Sequence, residues 1–142
     1  MTAPTLPSSG MRGGALNTGL WIAQWLFAAS FVGAALMKLA MPIAQLATIW
    51  PWTGELAPTL VRLLGVIDLL GGLGVLLPSL ARIKPRLTVV AAIASVALQL
   101  CAMAFHASRG ELAALPVNVV FIATAIFIAW GRWSRHPLYP KA

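Results

Sequence analysis

Asp68 is a carboxylate set inside a run of leucine, valine and glycine, "GVIDLLGGLGVLLP" over residues 65–78. Only ten Lys/Arg and three Asp/Glu carry formal charge among 142 residues, and Asp68 is the one acid of the three that falls within an apolar run. An ionisable group held in hydrocarbon costs roughly 2.5–3.5 kcal/mol on insertion scales, so it persists when paired, when it faces a bundle interior, or when it serves chemistry. His106 closes a second apolar run and Lys38 ends another, with Asn118 early in a fourth. A carboxylate and an imidazole facing one cavity could act as an acid/base pair on a lipophilic substrate, so Asp68 and His106 are the candidate catalytic residues. Lys38, Asp68, Gln99, Met103, His106, Asn118 and Phe31 are the candidate ligand-binding set, with hydrogen-bonding groups interleaved with apolar ones.

Spacing supports convergence. Gln24, Phe31 and Lys38 follow seven-residue steps along nearly one helical face, and Ser95, Gln99, Met103 and His106 follow steps of four, four and three. Each polar residue also has a plainer reading. Lys38 can snorkel at a helix end, Asp68 can be a counter-ion for Lys38 or Arg62, and His106 can be a hydrogen-bonded end residue. Gln99 and Asn118 can make interhelical hydrogen bonds, and Arg62 and Arg109 can anchor at an interface. No metal site is expected, because zinc takes three or four ligands and only His106 lies near a run; His136 sits in the tail. A haem held by two histidines would need a second subunit. The one cysteine, Cys101, has no partner thiol, so thiol-to-quinone electron shuttling by this chain alone is excluded. There is no nucleophile elbow and no phosphate loop.

The elements that position these residues are four apolar runs, 18–39, 57–77, 87–106 and 112–130. At about 1.5 Å per residue, about 20 residues cross a hydrocarbon layer of about 30 Å. With 60% hydrophobic residues and a mean hydropathy of +0.88, the chain reads as all-α, a polytopic membrane four-helix bundle. Asp68 then lies about 15 Å deep, and Lys38, Asp68, Gln99, His106 and Asn118 gather in one half of the bundle, leaving little beyond Gln24 and Ser95 in the other. Gly65 and Gly72 in the second run, and Ala29 and Gly33 in the first, are expected helix-contact positions.

The net charge of +7 is unevenly placed. Arg12, Arg82, Lys84, Arg86, Arg132, Arg135 and Lys141 fall on the face shared by the termini, and Lys38, Arg62 and Arg109 on the other. The positive-inside bias predicts cytoplasmic N- and C-termini in a multi-pass membrane protein. The basic tail is expected to meet anionic lipid headgroups, not nucleic acid. Trp21, Trp25, Trp130 and Trp133 fall at the termini face and Trp50 and Trp52 in the first outer loop, all expected as interfacial belt residues.

Residues 1–17, rich in Pro, Ser and Gly, read as a disordered cytoplasmic arm, 18–132 as the four-helix domain and 133–142 as a basic cytoplasmic tail. The first run is too long for a cleavable leader and is expected to remain as a span. In the link 40–56, Pro42 followed by Ile43, Leu46, Ala47 and Trp50 predicts a short helix lying flat at the outer interface, ended by Pro51.

The segments "FVGAALMKL" (31–39), "GVIDLLGGLGVLLP" (65–78), "AMAFHASRGE" (102–111), Asn118 and a closing "GR" (131–132) resemble the DoxX-like family of small bacterial membrane proteins, over roughly residues 18–132. Lys38, Asp68, His106 and Asn118 match its polar pattern, with Asp68 where the family commonly carries Glu. The resemblance implies a multi-pass protein of the bacterial inner membrane and an association with membrane redox systems, the family being named for a subunit of a thiosulfate:quinone oxidoreductase. It makes a quinone or similar lipophile the expected ligand, and a redox-complex subunit or a second copy of the chain the expected partner. Two further readings stand beside an accessory, ligand-binding subunit: a membrane enzyme of isomerase or hydrolase type using Asp68 and His106, and a small proton-coupled transporter built on Asp68.

Overall fold

The computed structural model describes residues 9–141. Five α-helices follow in order: α1 (Ser9–Ala40), α2 (Ile43–Ile49), α3 (Pro58–Ala81), α4 (Arg86–Ser108) and α5 (Leu115–Trp130). Short 3₁₀ turns span Pro51–Gly54 and Leu112–Ala114, and a π-helical turn, Gly131–Arg135, extends α5. Four stretches are long and apolar enough to cross a membrane: Gly13–Ala40, Pro58–Ala81, Arg86–Ser108 and Leu112–Arg135. The protein is a four-helix membrane bundle, with α2 bridging one end. That end is called the α2 end below, and the opposite one the termini end.

Proline sets several boundaries. Pro58 opens α3 and Pro116 lies in the first turn of α5, where a missing amide hydrogen removes no helical bond. Pro51 follows α2 and starts the next turn. Pro78 does not end α3, which runs on to Ala81, because a proline in the last turn removes a single donor. Segment 9–17, expected within an unstructured arm, forms the first turns of α1; Thr18 Oγ1 donates to the Gly14 carbonyl at 3.0 Å. The remainder of that arm, 1–8, lies outside the described residues.

α1 packs along α3, α3 against α4, and α4 along α5, with a lighter α1–α5 contact closing the ring. The glycines of α3 permit this. A Cβ on Gly72 would stand 3.0 Å from Phe31 Cβ and 3.2 Å from the Ala28 carbonyl, and one on Gly74 2.9 Å from Ala91 Cβ. Backbones approach closely where small residues line the seam. Ala29 and Gly33, expected in such a contact, are exposed instead, and Gly33 has open space where its Cβ would lie. The α1 face toward α3 is centred on Ala28, Phe31 and Ala35, which puts those two residues on the lipid side.

The core holds Phe27, Phe31, Val75, Ala92, Ala125 and Ile128. Phe27 and Phe31 stack at 4.2 Å between ring centroids, and Phe121 meets both edge-on at 5.7 and 5.3 Å. This aromatic trio fills mid-bundle and separates the polar groups of the two ends. Ser30, Ser95 and Thr124 return their hydroxyl protons to the carbonyl four residues back, so they need no partner elsewhere.

Candidate functional site

A chamber of about 910 Å³ opens at the α2 end, with walls from all four spans and a rim from Ile49–Trp52. Lys38, Asp68, Gln99, His106, Asn118 and Phe31 all line it. Met103 does not. The α4 face toward the chamber carries Leu98, Gln99, Cys101, Ala102, Phe105 and His106, and Met103 lies about 120° round the helix from the middle of that arc. The four-four-three spacing was compatible with either side of the Gln99–His106 line, and packing against α3 and α5 selected the other.

Asp68 pairs with Lys38: Nζ donates to Oδ2 at 2.5 Å, and each side chain keeps only 12% of its surface exposed. Arg62 is not the partner. Its guanidinium donates to the carbonyls of Lys38 and Met41 (the latter at 2.8 Å), capping the C-terminus of α1, where helical carbonyls lack internal donors. Lys38 Nζ also lies 5.0 Å from the Trp50 ring and 5.9 Å from that of Trp52. These two tryptophans, expected as belt residues, also line the chamber beside the ammonium. α2 forms where the Pro42-led stripe predicts it and buries Leu46 completely, which brings Trp50 inward.

A second cluster lies on the rim. His106 Nδ1 is 2.6 Å from Glu111 Oε2, and an ionised carboxylate can only accept, so the ring donates from Nδ1. Arg109 donates through Nε to Glu111 at 2.9 Å and through Nη2 to Glu55 at 2.7 Å, tying the α4–α5 turn to the segment before α3. The His106 hydrogen bond, then that of Arg109, hold the Glu111 carboxyl below the ordinary range. Trp52 meets Phe105 edge-on at 6.0 Å and completes this side.

Asn118 is 8% exposed, and its Nδ2 is buried without an acceptor among the described residues. A buried amide left unpaired is destabilising by about 1–3 kcal/mol, so an unpaired donor in a cavity wall is a position for a ligand acceptor. The chamber otherwise exposes mostly apolar surface, with Phe31 and Phe121 at its floor. Among the described residues no group of three or more His, Cys, Asp or Glu is placed to hold a metal.

The termini end departs from expectation. Arg132, assigned from the sequence to the basic face, is only 4% exposed. Nε donates to Gln24 Oε1 at 2.7 Å, Nη1 to Asn17 Oδ1 at 2.9 Å, and the guanidinium carbon stands 4.6 Å from the Trp21 ring centroid. Gln24 Nε2 in turn donates to the Val75 carbonyl at 2.7 Å. This half of the bundle therefore carries a charged network beyond the expected Gln24 and Ser95. The glycine before Arg132 allows close seating there: a Cβ on Gly131 would run into the buried Leu20 side chain of α1, which would have to move.

No curated protein and no solved structure matches the chain. Residues 22–128, which include Lys38, Asp68, Gln99, His106 and Asn118, match the sequence profile of the DoxX-like family, and the chain belongs to that family.

Proposed function

We propose that the chain binds a lipophilic molecule of the quinone class in the chamber at the α2 end, as an accessory or ligand-binding subunit of a membrane redox system. The observation that carries this reading is Asn118 Nδ2, a buried donor without an acceptor in the wall of a largely apolar cavity. Drug-sized and cofactor-sized ligands occupy pockets of about 300–1,000 Å³ lined by apolar groups and a few placed polar ones. A quinone supplies reversible two-electron, two-proton chemistry when bound. Asn118, by turning an amide whose nitrogen is otherwise sealed in the wall, donates to one ring oxygen. His106, whose Nδ1 is committed to Glu111, offers Nε2 to a ring oxygen: a lone pair for a quinol hydroxyl when the imidazole is neutral, a proton for a carbonyl when it is charged. Phe31 and Phe121 give the ring aromatic surface. Cys101 has no second thiol in the chain, so a partner subunit delivers the electrons. By the positive-inside bias, the chamber faces away from the cytoplasm.

The acid/base reading has less support, since Asp68 is held by Lys38, and His106, which keeps Nε2 free, would have to act without it. The transporter reading needs a path past the packed Phe27, Phe31 and Phe121 rings.

The test is to purify the chain from membranes, extract it with solvent and quantify quinone against bulk phospholipid, for wild type and Asn118→Leu. Wild type is expected to be enriched, and loss of one hydrogen bond of about 1–1.5 kcal/mol should lower retention about five- to tenfold. Equal, unenriched quinone in both would refute the reading.

A further inference from the structure

A second pocket, of about 590 Å³, lies at the termini end and is lined by Lys84, Arg86, Arg132, Trp133 and Tyr139, among others. Three cations meet here in a part of the molecule with no acidic side chain. The only three acids in the sequence are Asp68, in the chamber wall, and Glu55 and Glu111, in the rim cluster at the opposite end. Arg132 is thus a cation more than nine-tenths buried with no carboxylate side chain to neutralise it. Its neutral partners, Gln24 and Asn17, take Nε and Nη1; Nη2 has no acceptor among the described residues. A buried charge is retained when it is paired, and among the described residues this one meets only neutral groups, Gln24, Asn17 and the face of the Trp21 ring.

The surroundings are arranged for an anion. The first turn of α4 borders the pocket through Pro85, Arg86 and Val89, which places the positive end of that helix at its edge. The tail folds back over the α3–α4 turn, where the Lys141 amide donates to the Arg82 carbonyl at 3.3 Å, and Pro137–Pro140 form the facing wall. Tyr139 adds a phenolic donor to that wall. Guanidinium groups match tetrahedral oxyanions through paired N–H donors, while Lys84 supplies a point charge.

We propose that this pocket binds a phosphate-bearing anion, with Arg132 as its fixed buried cation and Lys84 and Arg86 closing over the remaining oxygens. The same chemistry is offered by the phosphodiester of an acidic phospholipid headgroup and by free phosphate. Basic pockets between spans suit the former, and the proposal does not depend on what the chamber at the α2 end binds.

The test uses the full chain in dodecyl maltoside micelles at fixed ionic strength. Phosphatidylglycerol, phosphatidylcholine and inorganic phosphate are titrated separately, and the thermal midpoint and native mass spectrum are read. Phosphatidylglycerol is expected to raise the midpoint and to remain bound as a discrete adduct, and phosphatidylcholine to do neither. An effect of phosphatidylglycerol alone assigns the lipid headgroup, and a parallel, competing effect of inorganic phosphate assigns the phosphate group itself; both support the site. Because Arg132→Gln can disturb the Gln24 network, the decisive variants are single substitutions at exposed cations. Lys84→Gln and Arg86→Gln should each weaken binding about tenfold, the loss of one charge-assisted hydrogen bond, while Arg135→Gln, outside the pocket, should change it less than about twofold. Equal weakening by all three would show diffuse surface charge and overturn the proposal, as would equal responses to phosphatidylglycerol and phosphatidylcholine.

Discussion

Breaking the Lys38–Asp68 pair from one side should be far worse than removing it whole. The ions are 2.5 Å apart, each side chain is 12% exposed, and each is surrounded by apolar chamber wall. Truncating one partner leaves the other desolvated and unpaired, a loss of about 3–5 kcal/mol. Lys38→Met is placed in that range. Asp68→Leu is placed at its lower end, near about 3 kcal/mol, because the Trp50 and Trp52 rings remain beside the ammonium and a cation–π contact retains about 0.5–2 kcal/mol. The double variant Lys38→Met/Asp68→Leu replaces two ions with apolar groups of similar length and should return to within about 1 kcal/mol of wild type, giving a coupling energy of about 5 kcal/mol or more. Unfolding by sodium dodecyl sulfate in mixed micelles, followed by tryptophan fluorescence, measures all four corners. A double variant that loses the sum of the two singles would refute the reasoning, because it would mean that the residues contribute independently.

Asn118→Leu should unfold at higher detergent, by about 1–2 kcal/mol, even as it loses ligand, since it removes a buried donor that the described chain leaves unpaired; a less stable variant would show that the amide has a partner after all. Gly72→Val should lower stability by about 1–3 kcal/mol in the same titration, because its side chain would meet Phe31, Val32 and the Ala28 carbonyl, whereas Gly33→Val at the open face should stay within about 0.5 kcal/mol. The folded-state pKa of Glu111 is depressed, so its contribution is present above the unfolded value of 4.5 and disappears as pH falls through the lower folded value. The thermal midpoint should therefore drop with acid below about pH 4.5 in wild type and drop less in Glu111→Gln, an order shown by scans between pH 3 and 6.

Bilayer thickness and the penalty on buried charge act on each segment separately, which is why the four spans and the shared placement of Lys38, Asp68, His106 and Asn118 were legible in the sequence. Depth along a helix follows from counting residues; rotation about its axis follows from neighbours. Met103 and Gly33 lie at the right depth and on the wrong side, and only the packing of α1 against α3 and of α4 against α5 decides that. The tryptophans show the same limit. Trp50 and Trp52 have the amphipathic character of belt residues, and burial of Leu46 also turns their segment inward over Lys38, a contact that composition alone does not give. Arg132 was hidden by its company: among Arg135, Lys141 and the other basic residues of one face, nothing local marks the single guanidinium that folds inside. Its burial depends on Gln24, which is 108 residues away in the chain.

Gln24 has a fixed polarity. Its oxygen faces a group that can only give a proton, and its nitrogen faces a carbonyl that can only receive one, so the amide has a single permissible orientation and no freedom to flip. An ionised glutamate could not supply Val75, and a lysine could not receive from Arg132; asparagine is one carbon too short to reach as far from the same backbone. Position 24 thereby acts as a keyed rivet through three helices, in which the identity of one side chain fixes how the last helix meets the first.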